Sequence, residues 1–432
     1  MRFALFVCLL HFLIATLSRS QSQSKPIPSA GSAETVLFSF DNTDGNQPLS
    51  SLIFDAAGNL YGTTALGGDF GYGSVFELTP GPGGTWTETV LHSFNNDGSD
   101  GYSPKGNLTF DSAGNLYGTT DQGGPNGQYG YGTVFELTPG PGGTWTETLL
   151  HSFNNNGKDG INPYAGVIFD AMGNLYGTTL GGGSRSGGTV FKLTPSKKGW
   201  VEKVLHSFNG STGGYPYASL VFDASGSLYG TTYGGGIGKM PYGTVFKLSL
   251  GNKGQWTEKV LHKFSGKDGG YPEGTLVLDA SGSLYGTTNG GGVTGRTCAY
   301  YGCGTAFELT LGNRGKWVET VLHTFNDDGT DGYNPIGGLI FDPGGNLCGT
   351  TVGGGDGIAA AGTGTVFQLT PGGNGSWRET VKYSFCSLDN CHDGNGPYTG
   401  LILDTAGNLY STTQSGGPFG NSGYGTVFEL TP

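Results

Sequence analysis

The sequence is built from one unit that recurs seven times. A stretch such as GNLYGTT, at residues 58–64, is followed in each unit by a second stretch such as GSVFELTP, at residues 73–80. Successive units lie 53 to 63 residues apart, measured on the aspartate just before the first stretch: Asp55, Asp111, Asp170, Asp223, Asp279, Asp342 and Asp404. A regular repeat of about this length indicates a solenoid, a propeller or a similar array.

The glycine-rich part of the unit, GGDFGYG at residues 67–73, has the composition of a phosphate-binding loop. Such a loop precedes a helix, whose first free N–H groups hold the phosphate. Here the next residues are SVFELTP, whose β-branched and aromatic side chains and final proline indicate a strand and a turn. Since the glycines also return in every unit, we interpret them as turns of the fold.

Each unit contains four candidate strands and no candidate helix. In the first unit they are residues 52–54, 59–64, 74–79 and 87–94. Asp55 and Gly58 begin and end a tight turn between the first two, because the carboxylate accepts backbone N–H bonds and glycine tolerates positive φ. Apolar residues occupy both faces of the strands, as in small sheets packed between neighbouring sheets. The sequence therefore predicts an all-β fold, a seven-bladed β-propeller of four-stranded blades.

The two ends of the repetitive region predict how the ring closes. Residues 34–40 (ETVLFSF) copy the fourth strand of a unit, and the chain stops after a third strand at residues 425–432. We therefore predict that the N-terminal strand completes the last blade and leaves no open sheet edge. An open solenoid is the alternative, but it would need atypical capping repeats, and the sequence shows none.

The N-terminal region predicts export. Residues 1–20 have a basic start, an apolar run and small residues at the end, as in a secretory signal peptide; an uncleaved anchor is the alternative. Residues 21–33 are Ser/Pro-rich and indicate a flexible linker, so residues 34–432 form one propeller domain of seven repeats of about 58 residues. We expect a secreted or cell-envelope protein, monomeric and without a membrane span after cleavage.

The net charge limits the classes of macromolecule that the protein is expected to bind. The formal charge is −12, and no basic run is present. Nucleic acid and anionic membrane surfaces are therefore not expected to bind.

The unit L-I-F-D-x-x-G-N-L-Y-G-T-T, with the later G-T-V-F-E-L-T-P, resembles the GloVer tandem repeat of secreted bacterial proteins. Its D-x-x-G-N-L-Y core is similar to that of NHL-type propeller repeats. The resemblance covers nearly all of residues 34–432 and implies an extracellular or envelope-associated β-propeller. It implies no particular reaction, so no catalytic residue follows from it.

The cysteines predict two short disulfide loops. In an exported protein, cysteines spaced within one loop are expected to pair, which gives Cys298 with Cys303 and Cys386 with Cys391. Cys348 replaces the tyrosine of the LYGT stretch and is expected to be a buried free thiol.

Histidine and tryptophan recur in register in the fourth strand. The histidine position is taken by phenylalanine and tyrosine in two copies, which indicates a packing role, and seven blades would hold these residues too far apart to share a metal. The tryptophans are expected to cover blade edges. The positions are His92, His151, His206, His262 and His323, with Phe38 and Tyr383, and Trp86, Trp145, Trp200, Trp256, Trp317 and Trp377.

Ligand recognition is expected on one face of the ring. In propellers, the loops from strand four to the next strand one share a face with the loops between strands two and three, and here both sets are long and variable. They contain tyrosines next to Asp, Asn and Gly, a combination that suits sugars. The ligand-binding candidates are Tyr102, Tyr215, Tyr271, Tyr333, Asp100 and Asp331. The alternative is that these tyrosines wedge between blades.

Two loops contain closely spaced aspartates. Asp97 and Asp100, and likewise Asp328 and Asp331, are candidate Ca²⁺ ligands, although the EF-hand pattern with its closing glutamate is missing. Solvated turns are the alternative, and we expect no other cofactor.

Catalytic signals are weak. No Ser/His/Asp triad, paired-carboxylate site or metal-ligand spacing emerges, and the sharpest catalytic candidates are His392 and Asp393 beside a predicted disulfide. We therefore expect recognition of an extracellular glycan or protein. The alternatives are a propeller enzyme acting on a polysaccharide or lactone, which a unique polar cluster at the central channel would favour, and a structural envelope protein.

Overall fold

The computed structural model describes residues 33–126, 130–236, 241–356 and 363–432. They form seven four-stranded antiparallel sheets arranged as a propeller, which confirms the predicted fold. In blades 1 to 6 the strand order follows the chain from the short inner strand to the long outer strand, whereas the outer strand of blade 7 is the N-terminal strand. The signal peptide and nearly all of the linker lie outside the described residues. Within the described ranges, no helix has the length and apolar character needed to span a bilayer.

The strand bounds repeat from blade to blade. Blade 1 consists of strands Ile53–Phe54, Leu60–Thr64, Ser74–Pro80 and Trp86–Ser93. Blade 2 consists of strands Thr109–Phe110, Leu116–Thr120, Thr133–Pro139 and Trp145–Ser152. Blade 3 consists of strands Ile168–Phe169, Leu175–Thr179, Thr189–Ser196 and Gly199–Ser207. Blade 4 consists of strands Val221–Phe222, Leu228–Thr232, Thr244–Leu250 and Trp256–Lys263. Blade 5 consists of strands Val277–Leu278, Leu284–Thr288, Thr305–Leu311 and Trp317–Thr324. Blade 6 consists of strands Ile340–Phe341, Leu347–Thr351, Thr365–Pro371 and Trp377–Ser384. Blade 7 is Ile402–Leu403, Leu409–Thr413, Thr426–Thr431 and the N-terminal strand Ala33–Ser39.

Short elements join these strands. Three antiparallel pairs of two-residue strands link the long loops. They are Gly101–Tyr102 with Gln122–Gly123, Gly160–Ile161 with Gly181–Gly182, and Gly332–Tyr333 with Gly353–Gly354. Single 3₁₀ turns are Pro82–Gly84, Pro141–Gly143, Asn313–Gly315, Gly373–Gly375 and Asp389–Cys391.

The N-terminal strand closes the ring as predicted. It pairs antiparallel with Thr426–Thr431, and the register runs from Ala33 opposite Thr431 to Ser39 opposite Thr426. The strand thus begins one residue before the predicted domain boundary. The next residue, Phe40, is fully buried, and its ring lies 5.1 Å from that of Phe76 in blade 1.

The inner hairpin of each blade is held by the repeated aspartate. In blade 1, Asp55 Oδ1 accepts hydrogen bonds from the backbone N–H groups of Ala57 and Asn59 at 2.8 and 2.9 Å. The Tyr61 hydroxyl donates to Glu77 Oε1 at 2.8 Å on the next strand. The Asp, Asn and Tyr of the repeat are therefore structural residues, because they satisfy the turn and tie it to the third strand.

A closed circle of phenylalanine pairs holds neighbouring blades together. Each pair packs edge to face with ring centroids 4.9 to 5.2 Å apart: Phe40–Phe76, Phe94–Phe135, Phe153–Phe191, Phe208–Phe246, Phe264–Phe307, Phe325–Phe367 and Phe385–Phe428. A Cβ at Gly118 would lie 2.5 Å from the ring of Phe135, which explains the glycine of the LYGTT stretch.

The repeated histidines and tryptophans pack at these interfaces, as predicted. The His92 ring lies 4.6 Å from that of Phe94, edge to face, and Phe38 and Tyr383 make the same contact at their positions. Trp200 of blade 3 packs on Tyr117 of blade 2.

Both predicted disulfides are present, Cys298 with Cys303 and Cys386 with Cys391, and Cys348 is a buried free thiol.

Candidate ligand-binding face

A ring of seven residues lines a cavity on the propeller axis. Each follows a proline in the segment that leads into an inner strand, so the repeat places all seven side chains at equivalent positions. They are Leu49, Lys105, Tyr164, Tyr217, Glu273, Ile336 and Tyr398. The cavity has a volume of about 80 Å³. Its lining differs from blade to blade, whereas the strands do not.

The charged members of this ring are both engaged. Lys105 Nζ lies 3.0 Å from Asp121 Oδ2 and 4.9 Å from the centre of the Tyr164 ring. Glu273 Oε1 accepts a hydrogen bond from Asn289 Nδ2 at 2.7 Å. Burial raises the pKa of Glu273 to about 7.

A continuous row of tyrosines leads away from the cavity across blades 3 to 5. Successive ring centroids lie 4.9, 5.3, 5.0 and 5.5 Å apart. We call these residues the tyrosine row: Tyr164, Tyr217, Tyr233, Tyr271 and Tyr301. Tyr242 also lies against Tyr271, at 5.6 Å. The row is not repeated around the ring, so the sevenfold packing of the fold does not require it.

The hydroxyls of the inner part of the row, Tyr164, Tyr217 and Tyr233, are protonated at neutral pH. Burial first, and then the nearby Glu273 carboxylate, raise the pKa of Tyr164, Tyr217 and Tyr233, the last to about 12. Each of these three hydroxyls is thus a hydrogen-bond donor on an apolar ring, and none of the three is a tyrosinate base.

The outer end of the row lies on a disulfide loop. The Cys298–Cys303 bridge closes a loop that contains Tyr300 and Tyr301, whose side chains are 95% and 66% exposed. The Tyr301 ring meets the Tyr271 ring edge on. The bridge restricts the conformations of this loop, and the exposed aromatic pair keeps its place beside the row.

The four tyrosines predicted to bind ligand fall into two classes. Tyr215 and Tyr271 directly precede a proline, and Tyr215 is 53% exposed. Tyr102 and Tyr333 stand one residue earlier and are 9% exposed, within the hydrophobic clusters between blades. Only Tyr271 belongs to the tyrosine row. A binding role for all four stays a prediction.

Tyr215 and Tyr271 adopt a backbone conformation that their residue type disfavours. Their φ angles are +59° and +58°. The equivalent residue is Gln, Ser, Asn or Gly in the other five blades, always with positive φ. A bulky residue in this region costs about 1 kcal/mol or more, and such strain is concentrated at functional sites. Asparagine and glycine fit the same turn at lower cost, so packing alone does not explain the tyrosines.

The paired aspartates do not converge on one point. Asp97 Oδ1 accepts hydrogen bonds from the backbone and hydroxyl of Ser99, within its own turn, and Asp328 does the same with Thr330. Asp100 and Asp331 are instead buried, and each accepts from a fourth-strand histidine, His92 and His323 respectively. The two aspartates of each candidate calcium pair thus have different partners, one within its own turn and the other a histidine of the fourth strand. The role of Asp100 and Asp331 as ligand-binding residues remains a prediction.

His392 and Asp393 are neighbours in sequence with different surroundings. His392 is exposed on its loop. Asp393 is fully buried, and its Oδ2 accepts hydrogen bonds of 2.8 Å from the Tyr383 hydroxyl and from the backbone and hydroxyl of Ser387. Asp393 therefore organises the loop at the position that Asp331 holds in blade 5. A catalytic role for the two residues stays untested.

The repeat itself identifies the family. A profile described as the Gloeobacter/Verrucomicrobia repeat matches residues 26–139 and 125–356, which together span most of the chain. The chain belongs to the Gloeobacter/Verrucomicrobia repeat family. A search of curated proteins finds no match to this family member.

Solved structures share the fold of this repeat protein at low sequence identity. The extracellular domain of the one-component system BT4673 from B. thetaiotaomicron has a TM-score of 0.54 at 12% identity, with 93% of this chain and 42% of that chain covered. A PL25 ulvan lyase bound to -[GlcA(1-4)Rha3S]- has a TM-score of 0.50 at 11% identity, with 90% and 94% covered. At such identities the similarity shows the propeller fold alone.

Two features of this Gloeobacter/Verrucomicrobia repeat protein escaped sequence reasoning. The first is the inner half of the tyrosine row, Tyr164, Tyr217 and Tyr233. The residue after each loop proline varies among Leu, Lys, Tyr, Glu and Ile, while its neighbours repeat, and that variation was a usable signal. The second is the contact between fourth-strand histidines and loop carboxylates, which joins different segments of the repeat.

Proposed function

We propose that this protein recognises an extracellular glycan with the tyrosine row. The observation that carries the proposal is the unbroken contact of five tyrosine rings from the axial cavity to an exposed disulfide loop. A sugar ring has an apolar face and a hydroxyl rim, so it matches a surface of aromatic faces and hydroxyl donors. The strained backbone at Tyr271 supports the same proposal, because it places a large ring where a smaller residue would fit better.

The dimensions favour binding on the surface rather than inside the channel. A pocket that encloses a small ligand usually has a volume of about 300 Å³ or more. The axial cavity, at about 80 Å³, holds a few water molecules and no sugar ring. The tyrosine row instead offers a binding surface several residues long, which suits an extended polysaccharide.

Replacing single rings of the row tests the proposal. We expect Tyr233→Ala or Tyr301→Ala to weaken glycan binding about five-fold each, since one stacked ring contributes about 1 kcal/mol. A glycan array identifies the ligand, and titration calorimetry then measures the affinity. The matched control is Tyr72→Ala, which removes an exposed loop tyrosine in blade 1 outside the row. Equal losses in Tyr72→Ala and Tyr233→Ala, or no binding by the parent to any glycan, would contradict the proposal.

A second substitution separates function from packing. We expect Tyr271→Asn to leave the melting temperature unchanged or raise it, because asparagine adopts positive φ more readily than tyrosine. The same variant should bind glycan several-fold more weakly. A fall in melting temperature of several degrees, with binding unaffected, would assign Tyr271 to packing instead.

One observation favours an enzyme as the second candidate. Glu273 is a unique carboxyl in the axial cavity, and burial brings its pKa to about 7, where a carboxyl serves as a general acid or base at neutral pH. Turnover of a polysaccharide or lactone by the purified protein, lost in Glu273→Gln, would support this candidate. Turnover that Glu273→Gln leaves intact would exclude Glu273 as the catalytic group.

A further inference from the structure

A cluster of His, Asp and Glu side chains joins blade 1 to blade 2, away from the tyrosine row. His92 lies on the fourth strand of blade 1 and Glu147 on the fourth strand of blade 2, with Asp100 on the loop that leaves blade 1. His92 Nε2 lies 3.3 Å from Asp100 Oδ2. One candidate ligand atom from each of the three residues falls within 4.8 Å of the others.

Two oxygens of this cluster are buried without a hydrogen-bond donor among the described residues. They are Asp100 Oδ1 and Glu147 Oε1. Asp100 is 5% exposed, so bulk solvent reaches little of its side chain. A buried carboxylate oxygen without a donor or a cation costs several kcal/mol. The pair therefore requires a positive species or a shared proton between the blades.

A second cluster of the same residue types, His262, Asp268 and Glu319, joins blades 4 and 5, but there Asp268 Oδ1 accepts hydrogen bonds from the Ser265 N–H and hydroxyl. Other blade junctions differ from the cluster with Asp100 in the same respect. At the junction of blades 2 and 3, Asp159 Oδ1 accepts from the Gly160 N–H at 2.7 Å, and Oδ2 accepts from Asn154 Nδ2 at 3.0 Å. Asp331 is satisfied in the same way by Gly332 and Asn326. In the cluster with Asp100, the corresponding Asn95 side chain accepts from the Asp97 N–H instead. Asp100 thus keeps an oxygen for another ligand, whereas Asp159 and Asp331 do not.

We propose that His92, Asp100 and Glu147 bind one divalent transition-metal ion, of the zinc class, across the interface of blades 1 and 2. An imidazole nitrogen with two carboxylate oxygens is a donor set that zinc accepts in proteins, with a water in the fourth position, whereas Ca²⁺ and Mg²⁺ select oxygen ligands. Bonds of about 2 Å would draw the three ligand atoms closer together and neutralise the two carboxylates. The ion would add a coordinate link between two blades that already meet through side-chain packing and hydrogen bonds.

Direct metal binding tests this site. The untagged protein is freed of metal with a chelator, dialysed, and titrated with Zn²⁺ by calorimetry and with Co²⁺ by absorption spectroscopy. We expect tight binding at this site and a rise in melting temperature on Zn²⁺ addition, because a ligand that binds only the folded state stabilises it. Failure of the parent to bind either ion would overturn the proposal.

Matched variants locate the ion. His92→Phe keeps the ring packing, since phenylalanine occupies the same position at Phe38, and Glu147→Gln keeps the shape of the side chain. Each should remove one equivalent of metal or weaken it about 100-fold. The controls are His151→Phe and Glu202→Gln at the next junction, which should bind as the parent does. Unchanged binding in both test variants, or equal losses in the controls, would place the ion elsewhere and overturn the proposal.

Discussion

The protein will melt at a higher temperature at about pH 5.5 than at about pH 8.5. Each fourth strand carries a glutamate that is half-buried against the preceding blade. Burial and neighbouring aspartates raise the pKa of Glu34 to about 8 and of Glu88 to about 7. Burial and nearby aspartates likewise raise the pKa of Glu202 and Glu379 to about 7.

The direction of the effect follows from comparing folded and unfolded chains. Between about pH 4.5 and pH 7 to 8 these carboxyls are ionised in the unfolded chain but keep their proton in the fold, so stability falls as the pH rises through this window. A pKa shift of one unit corresponds to about 1.4 kcal/mol, and partial exposure reduces that value. Below this window the turn aspartates act the other way, because backbone and side-chain hydrogen bonds lower the pKa of Asp111, Asp170 and Asp404. We therefore expect maximal stability near pH 5.

Variants distinguish these glutamates from the general effect of a net charge of −12. Glu34→Gln and Glu379→Gln should raise the melting temperature at about pH 8.5 and leave it nearly unchanged at about pH 5.5, because the amide resembles the protonated acid. Asp69→Asn removes the same charge from an exposed position and should do neither. Thermal scans are run with a chelator present. A melting temperature that rises from pH 5.5 to 8.5 in the parent would refute the assignment.

Deletion of residues 34–40 should abolish the cooperative melt and cause aggregation. The deletion removes the outer strand of blade 7 and the fully buried Phe40, and it exposes the backbone of Thr426–Thr431 as an open edge. Loss of one buried phenylalanine costs about 3 to 5 kcal/mol, so loss of a whole strand consumes most of a typical net stability of about 5 to 15 kcal/mol. Calorimetry and size-exclusion chromatography measure the result. A truncated protein that melts like the parent would show that closure is dispensable.

A rescue variant of the deletion tests whether the loss of stability comes from the open ring or from the removal of residues 34–40 as such. In blade 1, residues 81–87 comprise the connection between the third and fourth strands and the first two residues of the fourth strand. Appending a copy of residues 81–87 and then 34–40 after Pro432 rebuilds the missing strand from the other side of the chain. We expect this variant to recover a cooperative melt, whereas appending the same residues in scrambled order should not.

The blades were predictable because each hairpin depends on nearby residues. Asp55, Gly58 and Asn59 make their contacts within five residues, so a repeated motif carries the whole instruction for the turn. The position of residues 34–40 was equally predictable. They copy a fourth strand, and the last blade is the one that lacks its fourth strand in sequence order. The disulfide pairs followed from short spacing within single loops.

Contacts between units were harder to predict. His92 was interpreted correctly as a packing residue, yet its partner Asp100 lies on a loop and the adjacent Glu147 belongs to the next blade, 55 residues away. Motif spacing does not specify how one blade rotates against another. The tyrosines illustrate the same limit, because a shift of one residue relative to the proline separates buried Tyr102 from exposed Tyr215.

The closing strand also sets an order of events during synthesis. Among the strands of the propeller, Ala33–Ser39 leaves the ribosome first and its partner Thr426–Thr431 leaves last, with a sequence separation of 398 between Ala33 and Thr431. Blades 1 to 6 contain all of their strands in sequence order and need no such wait. The earliest strand therefore stays unpaired while the rest of the molecule assembles, and contacts so distant in sequence form slowly. At high concentration we expect this strand to exchange between copies, giving dimers in which each molecule completes the seventh blade of the other.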